Sequence, residues 1–134
     1  MVQRKMMSNM EIYNIANGLI EGFRDTNITL PVKANFYFQK NMNSLIEMAQ
    51  DIDKSRIAIF EKYGTLDEEN NQYKFDPAVT DDVNRELQDL FDLEQEVKVN
   101  LIELDWFDKV ELTAQQMAAI TYMIKDDDED AKDE

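Results

Sequence analysis

The chain of 134 residues has no cysteine and no histidine, and holds only three glycines, two prolines and one tryptophan. Without cysteine there is no disulfide framework and no thiol nucleophile. Ser-His and Cys-His pairs, and zinc sites built on imidazole or thiolate, are excluded because the atoms for them are missing. The side chain that titrates nearest neutral pH is missing too. Gly18 and Gly22 lie inside one helical pattern and Gly64 ends another, so no glycine-rich turn is present to cradle a phosphate. No run approaches the ~20 apolar residues of a membrane span. The basic N-terminus, MVQRKMMSNM, is not followed by the apolar core of a secretion signal. These absences lead us to expect a cytoplasmic protein that is not an enzyme, needs no cofactor or metal, and touches neither membrane nor nucleic acid directly.

Charge is what the chain has in excess. The net charge is −15, and residues 81–111 alone carry 11 acidic and 3 basic groups. Such a surface repels phosphate backbones, so the expected partner is a protein with a basic face. Hydropathy patterning gives the elements. Ile12, Tyr13, Ala16, Leu19, Ile20 and Phe23 form one helical stripe over 9–24, with Gly18 and Gly22 on a face suited to close packing against another helix. A longer helix is expected from Pro31 to Lys62. Its residues Phe38, Met42, Leu45, Ala49, Ile52, Arg56, Ile59 and Tyr63 follow a heptad seam, interrupted at Arg56, over about 48 Å of helix. Gly64 then stands where a left-handed cap belongs. Two readings of the seam stand: the chain's own neighbouring helices cover it, or it is an interface for a homodimer or a partner helix. Arg56 is expected at the periphery or paired with Asp53 or Glu86, because an unpaired buried guanidinium is costly.

Residues 65–75 suit a short hairpin. Asp76-Pro77 is a helix start, with Val79, Val83, Leu87 and Leu90 facing inward. After Leu93 the period falls to two: Val97, Val99 and Leu101 alternate with polar residues, which predicts a strand, and Val110 and Leu112 are candidates for a second. Thr113 and Gln116 fit a capping box for a last helix that turns Met117, Ile120 and Ile124 inward. The fold class is α+β, predominantly α-helical: a long heptad-patterned helix, two or three others, a hairpin and a minor C-terminal β element. The domain limits follow: a flexible extension over 1–8, a single domain over 9–125, and a disordered acidic tail over 126–134.

Carboxylates are the plentiful reactive groups, but general acid–base work needs them buried. Asp105 and Asp108 flank Trp106-Phe107, which reads either as a ligand pocket or as a loop anchored by its aromatic rings. An EF-hand beginning at Asp67 fails, because Gln72 stands where glycine is needed and Ala78 where glutamate is needed. The candidate partner-binding face is a row of acids, Asp82, Glu86 and Asp89 at helical spacing, continued by Asp92 and Glu94. Residues 81–94 span about 21 Å as a helix and carry six acids, whereas duplex DNA presents about twelve phosphate charges over that length.

The stretch LPVKANFYFQKNMNSLIEMAQDIDKSRIAIFEKYG, with LEQEVKVNLIEL and VELTAQQMAAITYMI after it, is similar to a family of small proteins of phages and prophages of Gram-positive gut bacteria. That family is described only as a domain of unknown function, often near structural genes. The resemblance covers roughly residues 10–125 and implies a viral origin without naming catalytic residues. Two functions remain in view. One is a structural or accessory interaction protein, in the host cytoplasm or in the virion. The other is a counter-defence inhibitor of anti-CRISPR or anti-restriction type, whose acidic face mimics DNA in the basic groove of a nuclease.

Overall fold

The computed structural model describes residues 2–24 and 29–125, so the acidic tail expected over 126–134 lies outside the described residues. The α+β, mostly helical class is what it shows. The first departure from expectation is at the N-terminus. Instead of a flexible extension, Val2–Ser8 is strand β1, paired antiparallel with β4 (Glu94–Asn100) from Val2 opposite Asn100 to Ser8 opposite Glu94. Its inward side carries Gln3, Lys5 and Met7, of which only Met7 is a buried apolar residue, so no apolar alternation announces the strand.

Ser8 ends β1 and caps α1 (Asn9–Phe23): its side chain accepts from the Glu11 backbone, and the Glu11 carboxylate accepts from the Ser8 backbone. Ile12, Ala16 and Leu19 are fully buried, whereas Ile20, expected inside, is exposed. The long helix α2 runs over Val32–Tyr63, 32 residues. Phe38, Leu45, Ala49 and Ile52 of its seam are buried in the same core cluster as α1 and the β4 valines Val97 and Val99, with Met42 packed against it. Between positions 38 and 52 the seam is therefore filled by the chain itself. Asn41, buried beside it, holds α2 to the end of β4: its side-chain amide donates to Asn100 O and accepts from Asn100 N, both at 2.8 Å.

Beyond Ile52 the helix leaves the core and rests on smaller partners. Arg56 is paired with Asp53 at 2.8 Å and lies 5.1 Å over the Phe60 ring; Glu86, the other partner considered, pairs with Lys62 instead. Ile59 and Tyr63 are half-buried. Phe60 meets Tyr73 and Phe75 of the hairpin formed by β2 (Gly64–Asp67) and β3 (Gln72–Phe75). Gly64 is not a left-handed cap: its φ is −119°, and the chain passes straight into β2. What requires glycine there is space, since a Cβ would sit 2.6 Å from the Phe75 ring and 3.0 Å from Phe60 O.

Asp76 caps a short 3₁₀ turn with Pro77 at its start, and α3 (Thr80–Asp92) follows. Val83 is buried and Val79, Leu87 and Leu90 are half-buried. Val110 and Leu112 are not a second strand; they lie in the irregular connection from β4 to α4 (Ala114–Ile120). The partner that β4 requires is β1, from the opposite end of the chain. Thr113 and Gln116 form the expected capping box, and Gln116 also donates to Gly22 O at 2.7 Å, fixing α4 across the glycine face of α1. A Cβ on Gly18 would meet Ala119 at 3.6 Å, so the two glycines admit a close but unstrained helix contact. Ile120 is buried and Ile124 half-buried, but Met117, expected inside, is exposed. No described helix is long and apolar enough to cross a membrane.

Candidate functional site

The acidic row expected along α3 divides into a neutralised half and an open half. Asp82 accepts a hydrogen bond from Arg85 one turn away. Glu86 is tied to the end of α2: the Tyr63 hydroxyl first, and then the Lys62 ammonium 3.2 Å away, hold its carboxyl below the usual carboxylate range. The same contact raises the Lys62 ammonium. Glu86 therefore joins α3 to α2, whereas Asp82 is paired within its own helix. Asp89, Asp92 and Glu94 are exposed, and of these Asp92 accepts from the Gln88 amide at 2.9 Å. Glu96, two residues along β4 on the same outward side as Glu94, faces Arg4 at 3.5 Å with both side chains largely in water, so that contact is weak. From 87 to 97 the chain carries four acids and no base.

The open half sits on a corner that the sequence did not disclose. The end of α3, the start of β4, the end of β1 and the start of α1 meet there, and a polar junction fixes them. Asn9, 3% exposed, donates from its backbone to Leu93 O and from its amide to Leu90 O, both at 2.8 Å, and accepts from Gln95 at 2.6 Å. All of its bonds hold backbone or a neighbouring side chain in place, so the corner is pre-organised. On this frame three large apolar side chains point to solvent: Met6 at 61%, Leu93 at 59% and Met10 at 46% exposure. Each is within two residues of the paired Ser8 and Glu94. Apolar residues scattered singly over a surface need no explanation, but a group of them rimmed by charge is the mark of a contact surface.

Leu93 is exposed because it is the turning residue, extended at φ −60° and ψ 139°, between α3 and β4. Met6 is exposed because the strand alternation that turns Met7 inward turns Met6 outward. The signal that could have found the corner was Ser8-x-x-Glu11, a capping box readable in the sequence, which places the helix start beside Met6 and Met10.

The second candidate, Asp105 and Asp108 about Trp106, opens as a hollow of about 680 Å³ lined also by Leu30, Pro31, Lys109 and Val110. Lys33 lies 5.3 Å over the Trp106 ring, and both carboxylates are exposed, without the burial that a general acid requires. Phe107 is the buried anchor of this loop. Among the described residues no group of three or more potential ligands is placed to hold a metal. No protein-family model, curated protein or solved structure matches the chain.

Proposed function

We propose that this chain is a non-enzymatic protein–protein interaction module of phage origin, and that it meets a basic partner through the corner formed by Met6, Met10 and Leu93 and the acids Asp89, Asp92, Glu94 and Glu96. The observation that carries this reading is the coincidence of the three exposed apolar side chains with the unneutralised half of the acidic row, on a junction fixed by buried Asn9. Apolar contact supplies affinity once water is excluded, and the acids select a partner carrying lysine or arginine around its apolar residues. The viral origin rests on the resemblance to phage proteins read from segments 30–64, 93–104 and 110–124; such a module works in the host cytoplasm or on the virion.

Mimicry of DNA by a counter-defence inhibitor has less support. Mimicry needs a continuous row of unpaired charge, and Asp82 and Glu86 are engaged by Arg85 and Lys62. A photo-crosslinking amino acid placed at position 93, with one at position 70 in the hairpin turn as control, tests the proposal in phage-infected host cells. We expect one protein to be captured from position 93 and not from position 70. Equal capture from both positions, or none from position 93, would overturn it.

A further inference from the structure

A second contact surface lies at the other end of β4. The connection from β4 to α4 folds over a groove of about 450 Å³, walled by Leu104, Phe107, Val110, Leu112 and Met117 with Asp108 at its edge. Leu104 and Met117 are 49% and 40% exposed, so their apolar surface is presented to solvent inside a concave site. That volume is in the ordinary range of ligand-binding clefts, roughly 300–1,000 Å³. Met117, unbranched and polarizable, adapts to the shape of an incoming side chain. Residues 103–117 carry Glu103, Asp105, Asp108 and Glu111, all exposed, against a single base, Lys109. Lys125 shares the neighbouring hollow with Glu103 and Asp105, whereas Asp108 lines the groove itself and exposed Glu111 stands in sequence between two of its walls, Val110 and Leu112.

We propose that this groove receives an aliphatic or aromatic side chain from a basic amphipathic segment of a partner protein, with a flanking lysine or arginine of that segment meeting Asp108 and Glu111. The inference rests on the interaction-module reading and adds a second seat to it. Between the groove and the Met6–Met10–Leu93 corner runs β4, seven residues and roughly 20 Å long at 3.3 Å per residue. One basic partner long enough to reach both is then held at two points, and the second contact forms at the high effective concentration set by the first.

The eight methionines make the test direct. The full chain, labelled on its methionine methyl groups, is titrated with a synthetic amphipathic leucine–lysine helix and with a leucine–glutamate helix of the same apolar pattern. We expect the Met117 methyl resonance to move with the lysine peptide and to stay in place with the glutamate peptide. Asp108→Lys and Leu104→Gln should each weaken the Met117-reported binding about tenfold, while circular dichroism and the Met123 resonance of the buried core confirm an intact fold. If Met6 and Met10 respond and Met117 does not, the groove is not a site and the corner stands. If none of the three responds, both proposals fall. A Met117 shift that survives Asp108→Lys unchanged overturns the charge-selected occupant.

Discussion

Asn41 shows how one polar side chain governs the packing of an otherwise apolar helix face. It is 2% exposed, and its amide satisfies both the N–H and the C=O of Asn100. Replacing it with leucine keeps the bulk but leaves two buried backbone groups unpaired, each costing about 1–3 kcal/mol. We expect Asn41→Leu to lose about 2–4 kcal/mol in urea unfolding, against less than about 0.5 kcal/mol for Asn43→Ala on the exposed side of the same helix. Equal, small losses would show that Asn41 is not structural. Tyr122 is the opposite case. Its buried hydroxyl has no hydrogen-bond partner among the described residues, and burial pushes the phenol well above its ordinary value near 10. A group whose acidity is weakened by folding contributes stability that is complete below pH ~10 and lost as pH rises beyond it. The partly exposed Tyr63 and Tyr73 shift in the same direction, so the whole protein should weaken above pH 10. Tyr122→Phe should flatten that alkaline loss and cost nothing at pH 7; an unchanged alkaline slope would contradict this.

At the scale of elements, legibility followed the apolar pattern. The long helix was readable almost to the residue because its heptad spacing over 38–52 is the face that enters the core, and the hairpin and the Thr113 capping box were readable from turn and cap chemistry. β1 was not readable. A strand whose inner side is Gln3, Lys5 and Met7 has no alternation to detect; what holds it is backbone pairing to β4, the burial of Met7, and Lys5 donating to Tyr122 O at 2.9 Å. The corner was hidden for the same reason, since two of its apolar residues, Met6 and Met10, lie on or next to that strand. Removal of residues 1–8 should therefore be costly. Losing buried Met7 alone is worth about 2–3 kcal/mol, and the exposed β4 backbone adds to it, so we expect thermal scanning to show a fall of roughly 10 °C or more. A truncated chain that melts with the parent would return β1 to the status of an extension.

For the whole molecule, the distribution of charge matters more than its total. A chain at −15 attracts any basic surface weakly and without selection, and salt removes that attraction. We propose a narrower contact, in which four acids at 89, 92, 94 and 96 act with three exposed apolar side chains, whereas Asp82 is paired within α3 and Glu86 ties α3 to α2. Reversing Glu86 would break the α2–α3 clamp and confuse binding with stability, so the informative substitutions are the other acids. The most direct measurement is affinity purification of the tagged full chain from phage-infected host cells, in parallel with the Asp89→Lys/Asp92→Lys/Glu94→Lys variant, after circular dichroism has shown the two to be equally folded. We expect a basic protein to be retained by the parent at physiological salt and lost from the variant. The same protein retained equally by both would contradict it.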